Sequence, residues 1–180
     1  MASVVSERYA LSLYEVAKGE NLVPQLFDEL ETISRVFEEY PDYLKILTTP
    51  SIAFGEKKTV LSTVFEGRVH PYLLNFLMLL TEKNRIGLIG EMAAAYRDMY
   101  YLEEGICEVT AVTAVPLSDD LFEKLKQKMT SVTGKRIILK NKVDPRLLGG
   151  VLVRIENNQI DDTVKRRLDE LARQLTQTIA

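Results

Sequence analysis

The hydrophobic period of this 180-residue chain changes once, at Gly105. Before that glycine, apolar side chains recur three and four apart, the spacing that lines one face of a helix. In segment 22–40 they fall at Val23, Leu26, Phe27, Leu30, Ile33, Phe37 and Tyr40. No stretch in that half alternates. Immediately after Gly105, residues 106–115 (ICEVTAVTAV) are rich in β-branched side chains and alternate with period two, which is a strand pattern. One element type cannot satisfy both periods, so the chain divides near Glu104-Gly105 into a helical part and a part containing a sheet.

Punctuation sets the elements. Segment 4–18 carries Val5, Tyr9, Leu13, Val16 and Ala17. Pro41 stops the helix over 22–40. A short piece over 42–47 leads to Pro50, and a turn from Ser51 opens a helix over 56–66. Pro71 sits in the first turn of a helix over 71–83, where its missing N–H costs nothing. The last helix of this half, 86–103, shows Ile86, Ile89, Ala93, Tyr96 and Tyr100 on one face, and Gly105 ends it. The expected architecture is an N-terminal all-α six-helix bundle over 1–104, antiparallel because its loops are short.

A small C-terminal α+β domain over 105–180 is expected to follow. After the strand at 106–115, Ser118 is an N-cap candidate, with Asp119 and Asp120 in the positive first turn of a helix to Thr133. Strands are expected over 136–143 and 150–156, with Gly149-Gly150 at the second strand's entry and a tight turn at Asn157-Asn158. A final helix carries Val164, Leu168, Leu171 and Leu175, and Asp161 and Asp162 read as its caps.

The residue inventory limits the chemistry. His70, the lone histidine, precedes Pro71 and reads as a surface or capping residue, and neither a two-His zinc helix nor a Cys-pair metal site can be built. Cys107 cannot form an intramolecular disulfide; it lies in an alternating stripe as a small hydrophobe, which fits a reducing, cytoplasmic setting. Gly134-Lys135 fails as a phosphate loop, because no glycine stands five residues before Gly134 and Arg136 stands where Ser or Thr would meet magnesium. No catalytic, cofactor-binding or metal-binding residues are assigned. No apolar run reaches membrane-span length, and MASVVSERYA lacks the features of a signal or transit peptide. Net charge is −6 over 1–104 and +3 over 105–180, which supports two units with different partners.

Two helices hold more apolar surface than a bundle requires. In helix 4–18, Val5, Val16, Tyr9, Leu13, Ala17, Ala10 and Tyr14 spread over an arc of roughly 180°, interrupted by Ser6, whereas a core-facing stripe needs roughly 100°. In helix 71–83, Tyr72, Leu73, Leu74, Phe76, Leu77, Met78, Leu79 and Leu80 cover nearly the whole circumference, with Asn75 and Glu82 on one polar edge. Such a helix is either the central helix of its bundle or covered on its outer side by a partner. If the two helices are neighbours, their surplus faces form a groove for an amphipathic helix of another protein. Ala10 and Ala17 would then admit it closely, and Tyr9 and Tyr14 would supply contact area.

Four segments carry a family resemblance: RYALSLYEVA at 8–17, LTTPSIAFGEKKTVL at 47–61, NFLMLLTEKNRIGLI at 75–89 and VDPRLLGGVLVRIENNQIDDTVKRRLDELARQL at 143–175. In that order and spacing the chain resembles the delta subunit of the F-type ATP synthase, the family of the mitochondrial oligomycin-sensitivity-conferring protein. The turn ENNQID departs mildly, since many relatives carry a glycine where Asn157-Asn158 can adopt the same backbone. The absence of a transit peptide favours a bacterial member, peripheral on the cytoplasmic face of the cell membrane. The resemblance implies a non-catalytic stator subunit of the peripheral stalk, without cofactors, without nucleic acid, not inserted in the membrane and not an obligate homo-oligomer. It implies that the N-terminal helix of an alpha subunit binds Tyr9, Ala10, Leu13, Tyr14 and Ala17 together with Asn75, Phe76, Met78 and Leu79. It also implies that the C-terminal domain holds the b subunits, through Val164, Leu168, Leu171 and Leu175 or with those residues as its own core. Two other readings compete. One is a nucleic-acid adaptor using Lys165, Arg166 and Arg167, which lacks any accompanying recognition motif. The other is a small enzyme, which would require a polar pocket with perturbed titratable groups.

Overall fold

A computed structural model describes residues 3–155, 158–163 and 166. It divides into two compact units, Met1–Tyr101 and Leu102–Ala180.

The first unit is helical: α1 (Val4–Gly19), α2 (Val23–Glu39), α3 (Pro41–Thr48), α4 (Phe54–Phe65), α5 (Pro71–Glu82), a 3-10 turn (Ile86–Leu88) and α6 (Ile89–Glu103), whose last residues pass into the second unit. Pro41 both follows the end of α2 and opens α3, with Tyr40 as the shared cap residue. The segment expected as one helix over 86–103 starts with the 3-10 turn, which buries Ile86 before the α-helical ladder begins. Two asparagines make sharp reversals with positive φ, Asn21 at 58° and Asn84 at 52°. In each, the following amide closes the helix end: Leu22 N–H donates to the Ala17 carbonyl at 2.8 Å and Arg85 N–H to the Leu80 carbonyl at 2.7 Å. Leu26, Leu30 and Ile33 from α2 meet Leu47, Leu61, Leu73, Leu77, Leu80, Met92 and Tyr96 in one shared core.

Buried polar groups in this core are satisfied, as desolvation requires. The Tyr96 hydroxyl donates to the Val23 carbonyl at 3.2 Å, and burial raises its pKa. Arg97 on α6 grips Glu31 on α2 through three N–H···O contacts of 2.6–3.1 Å. At the start of α1, Ser3 caps the helix by accepting from the Ser6 amide. Glu91 on α6 accepts from the Ser3 amide and the Ser6 hydroxyl, each at 2.9 Å. The Ser3 amide bond is the largest cause holding the Glu91 carboxyl below its ordinary pKa of 4.5. A depressed carboxylate stabilises the fold above its unfolded value and loses that contribution as pH falls through its folded value. Acidification below about pH 4.5 should therefore loosen the α1 terminus first, read as faster Ser3 and Ser6 amide exchange, and Glu91→Gln should remove that acid step.

The second unit contains β1 (Ile106–Thr113), α7 (Asp119–Thr133), β2 (Arg136–Val143), β3 (Gly150–Ile155) and β4 (Asn158–Thr163), with sheet order β2-β1-β3-β4. β1 and β2 are parallel, so α7 is their crossover; β3 runs antiparallel to β1, and β4 to β3. Ser118 caps α7, and Gly134 at φ 67° ends it in the left-handed conformation that glycine adopts freely. Phe122, Leu125 and Met129 of α7 cover Cys107, Val109, Ala111, Ile137, Leu139 and Val153 on one sheet face. Asn141 ties the crossover to the sheet: it accepts from the Leu117 amide and donates to the Ala111 carbonyl and the Thr113 hydroxyl.

Asp161 and Asp162, expected as caps of a final helix, lie within β4, opposite Leu152 and Val151, and the start of that helix lies outside the described residues. The pairing belongs to the backbone ladder on the β3 edge, and Asn-Gln-Ile-Asp-Asp-Thr gives little side-chain pattern to announce it. The expected final helix, with Val164, Leu168, Leu171 and Leu175, lies outside the described residues, as does Asn157 of the expected turn.

Candidate docking face on α1 and α5

The inward stripe of α1 is Ser6, Leu13, Ala17, Ala10 and Tyr14, all buried. On a helical wheel these five span roughly 100°, the width of a core-facing face. Ala10 and Ala17, at 1% and 0% exposure, face this core, where Tyr14 packs against Tyr96 with ring centroids 5.1 Å apart. Ser6, which interrupts the apolar arc in sequence, is buried because Glu91 accepts its hydroxyl proton. What remains accessible is the other edge of the arc: Val5 at 36% and Val16 at 46%, with Tyr9 half-buried between them and the inward stripe.

α5 divides the same way. Leu73, Phe76, Leu77, Leu80 and Thr81 are buried, and Leu74 and Met78 are partly buried. Tyr72 at 37% and Leu79 at 42% are open to solvent, beside exposed Asn75. Helix α5 is therefore neither fully central nor a surface helix. His70 is its N-cap, its Nδ1 accepting from the Tyr72 amide at 3.3 Å and its own amide donating to Glu29 at 2.7 Å.

The two open edges adjoin. Tyr9 of α1 meets Phe76 of α5 edge-on, with ring centroids 6.3 Å apart. These two rings join the helices, with Val5 and Val16 on one side and Tyr72, Asn75 and Leu79 on the other. Beyond α5, Arg85 donates to the Tyr9 hydroxyl at 2.8 Å and lies 5.3 Å from the ring centroid, a cation–π contact.

Of the nine residues assigned from sequence to this face, Asn75 and Leu79 are exposed, Tyr9 and Met78 are half-buried, and Ala10, Leu13, Tyr14, Ala17 and Phe76 are core. Tyr72, Val5 and Val16, outside those nine, are also exposed on this face, and all three carry the surplus-arc signal. Arg85 gives no periodic signal, because it lies past the end of α5.

A separate open pocket of about 470 Å³ lies between α2 and α4, floored by Ile33, Val36, Val64 and Val69 and rimmed by Asp28, Glu29 and Arg68. Among the described residues no group of three His, Cys, Asp or Glu side chains could hold a metal ion, and no helix is long and apolar enough to cross a membrane.

The chemistry open to the α1–α5 face is adhesion: apolar contact with a few oriented hydrogen bonds, the surface of a structural component. The comparisons say of what. The chain belongs to the ATP synthase delta (OSCP) subunit family, whose pattern it matches over residues 5–175. It is 36% identical to ATP synthase subunit delta of Alkaliphilus metalliredigens over 179 residues, covering 99% of both chains. It is 34% identical to that of Clostridioides difficile over 181 residues, covering 100% of both. In structure it is similar to a chain of the Toxoplasma gondii mitochondrial ATP synthase hexamer, with TM-score 0.72, 25% identity, and coverage of 97% of this chain and 98% of that one. The protein is thus a structural component of an F-type ATP synthase and is not itself catalytic.

Proposed function

We propose that this subunit is the stator link of the synthase, tying the alpha/beta catalytic head to the b-subunit peripheral stalk. A rotary motor makes ATP only if its head does not turn with the rotor, so the link must carry torque and needs no reactive group. The observation that carries this reading is the open apolar edge shared by α1 and α5, where Val5, Val16, Tyr72 and Leu79 are exposed beside the Tyr9–Phe76 ring contact that joins the two helices. The N-terminal helix of an alpha subunit lies along that edge, against Val5, Tyr9, Val16, Tyr72, Asn75, Met78 and Leu79. Ala10, Leu13, Tyr14, Ala17 and Phe76 support it from beneath. The second unit holds the b subunits, through Val164, Leu168, Leu171 and Leu175 or with those residues as its own core. The subunit works as one copy, peripheral on the cytoplasmic face of the bacterial membrane, and binds no nucleic acid.

Calorimetry with a synthetic peptide of the alpha-subunit N-terminus tests this. Saturable one-to-one binding with a negative heat-capacity change is expected, the signature of apolar burial. Leu79→Asp, at an exposed position, should leave the melting temperature unchanged and weaken binding by roughly 100-fold, because an unpaired carboxylate would be trapped in an apolar contact. Unchanged affinity in that variant would remove the docking face from α5.

A further inference from the structure

The docking face has one charged corner, and its geometry is set by the fold. Asn84, in the left-handed conformation, turns the chain out of α5, and the bond from the Arg85 amide to the Leu80 carbonyl fixes where the Arg85 backbone emerges. The guanidinium then rests against Tyr9, hydrogen-bonded to the hydroxyl at 2.8 Å and 5.3 Å from the ring centroid. Arg85 is exposed, and among the described residues no carboxylate pairs with it. The nearest acid in sequence, Glu82, contacts Lys83 at 3.4 Å.

Among the described residues, this arrangement leaves donors without a protein acceptor. A guanidinium has five N–H donors, and Arg85 spends one of them on Tyr9. The Tyr9 hydroxyl, having accepted that bond, still has its own proton to donate. Two donors from two side chains thus stand together at the end of an apolar strip. The group that satisfies both is a carboxylate, whose two oxygens accept in parallel and whose charge opposes that of the guanidinium.

We propose that Arg85, oriented by Tyr9, takes a carboxylate of the docked helix and so sets its register along α1 and α5. An apolar helix face slides at little cost by a turn, because one leucine contact resembles the next; one ion pair at a fixed place makes a single register preferable. Arg85 acts as a specificity residue, and Tyr9 positions it while also forming part of the apolar contact.

The inference rests on the docking face proposed above, and the experiment separates the two. The full-length protein is titrated with the alpha-subunit N-terminal peptide at low and high salt, and with peptides in which each Asp or Glu is replaced singly by Asn or Gln. Arg85→Gln should weaken binding about fivefold at low salt, near the upper limit for an exposed ion pair, and flatten the salt dependence, with unchanged melting. One peptide, and only one, should lose no further affinity against Arg85→Gln, identifying the carboxylate by a double-mutant cycle. Tyr9→Phe should reduce that coupling, since it removes the hydroxyl and keeps the ring. If Leu79→Asp abolishes binding while Arg85→Gln matches the wild type in affinity and salt slope, the register proposal fails and the docking face stands. If no carboxylate couples to Arg85, it fails equally. A peptide that does not bind the wild-type protein overturns both.

Discussion

Ala17→Asp should unfold the helical unit, whereas Val16→Asp, one residue earlier on the same helix, should leave it folded. Ala17 is fully enclosed, beneath the turn where the Leu22 amide reaches its carbonyl. A carboxyl there must lose its water or protonate, and its extra volume must push α1 off the core. The cost should exceed about 4 kcal/mol, a large part of the stability of a unit this size. Val16 is nearly half exposed, so its aspartate remains solvated and costs the fold less than about 0.5 kcal/mol. The same change should weaken the alpha-subunit peptide sharply, because it puts charge on the open edge of α1. Circular dichroism melts and calorimetry on the two variants decide the matter. If Ala17→Asp melts like the wild type, α1 does not bury the face assigned to it.

Tyr96→Ala should produce the second large loss. Tyr96 is fully buried, packs against Tyr14, and donates to the Val23 carbonyl at the start of α2. Removing the ring leaves a cavity bounded by α1, α2 and α6, and removing the hydroxyl takes one hydrogen bond from the part-buried Val23 carbonyl. Large aromatic-to-alanine changes of this kind cost about 3–5 kcal/mol. For a unit of this size that lowers the melting temperature by more than about 12 °C. Tyr96→Phe keeps the packing and loses the hydrogen bond, so it should cost about 1 kcal/mol. A Tyr96→Phe loss as large as that of Tyr96→Ala would show that the hydroxyl, rather than the ring, holds α6 to α2.

Ala17 and Val16 place core and open edge on adjacent residues, and sequence alone could not separate them. Periodicity in α1 identifies an apolar arc that is too wide, but a wheel has no origin: it does not say which edge of the arc turns inward. Ser6 misleads in the same way. It looks like a break in the arc, yet it lies within the buried stripe, where Glu91, 85 residues away, accepts its proton. Ala10 and Ala17 are small enough to admit either a partner helix or a close core neighbour, and only packing shows that the core has them.

What the sequence determined by itself was everything carried by local rules. The change of period at Gly105 separates the helical part from the part with a sheet. Ser118 and Gly134 bound α7, His70 and Pro71 open α5, and the surplus of apolar surface on α1 and α5 is countable from composition and spacing. The tertiary structure alone decided which half of that surplus is spent inside. It also decided that Asp161 and Asp162 belong to a strand, through backbone pairing that ignores side-chain pattern, and that Arg85 is delivered to Tyr9 across 76 residues of chain. Each of these depends on contacts between residues far apart in sequence, and no local pattern of side chains encodes the partner it will meet.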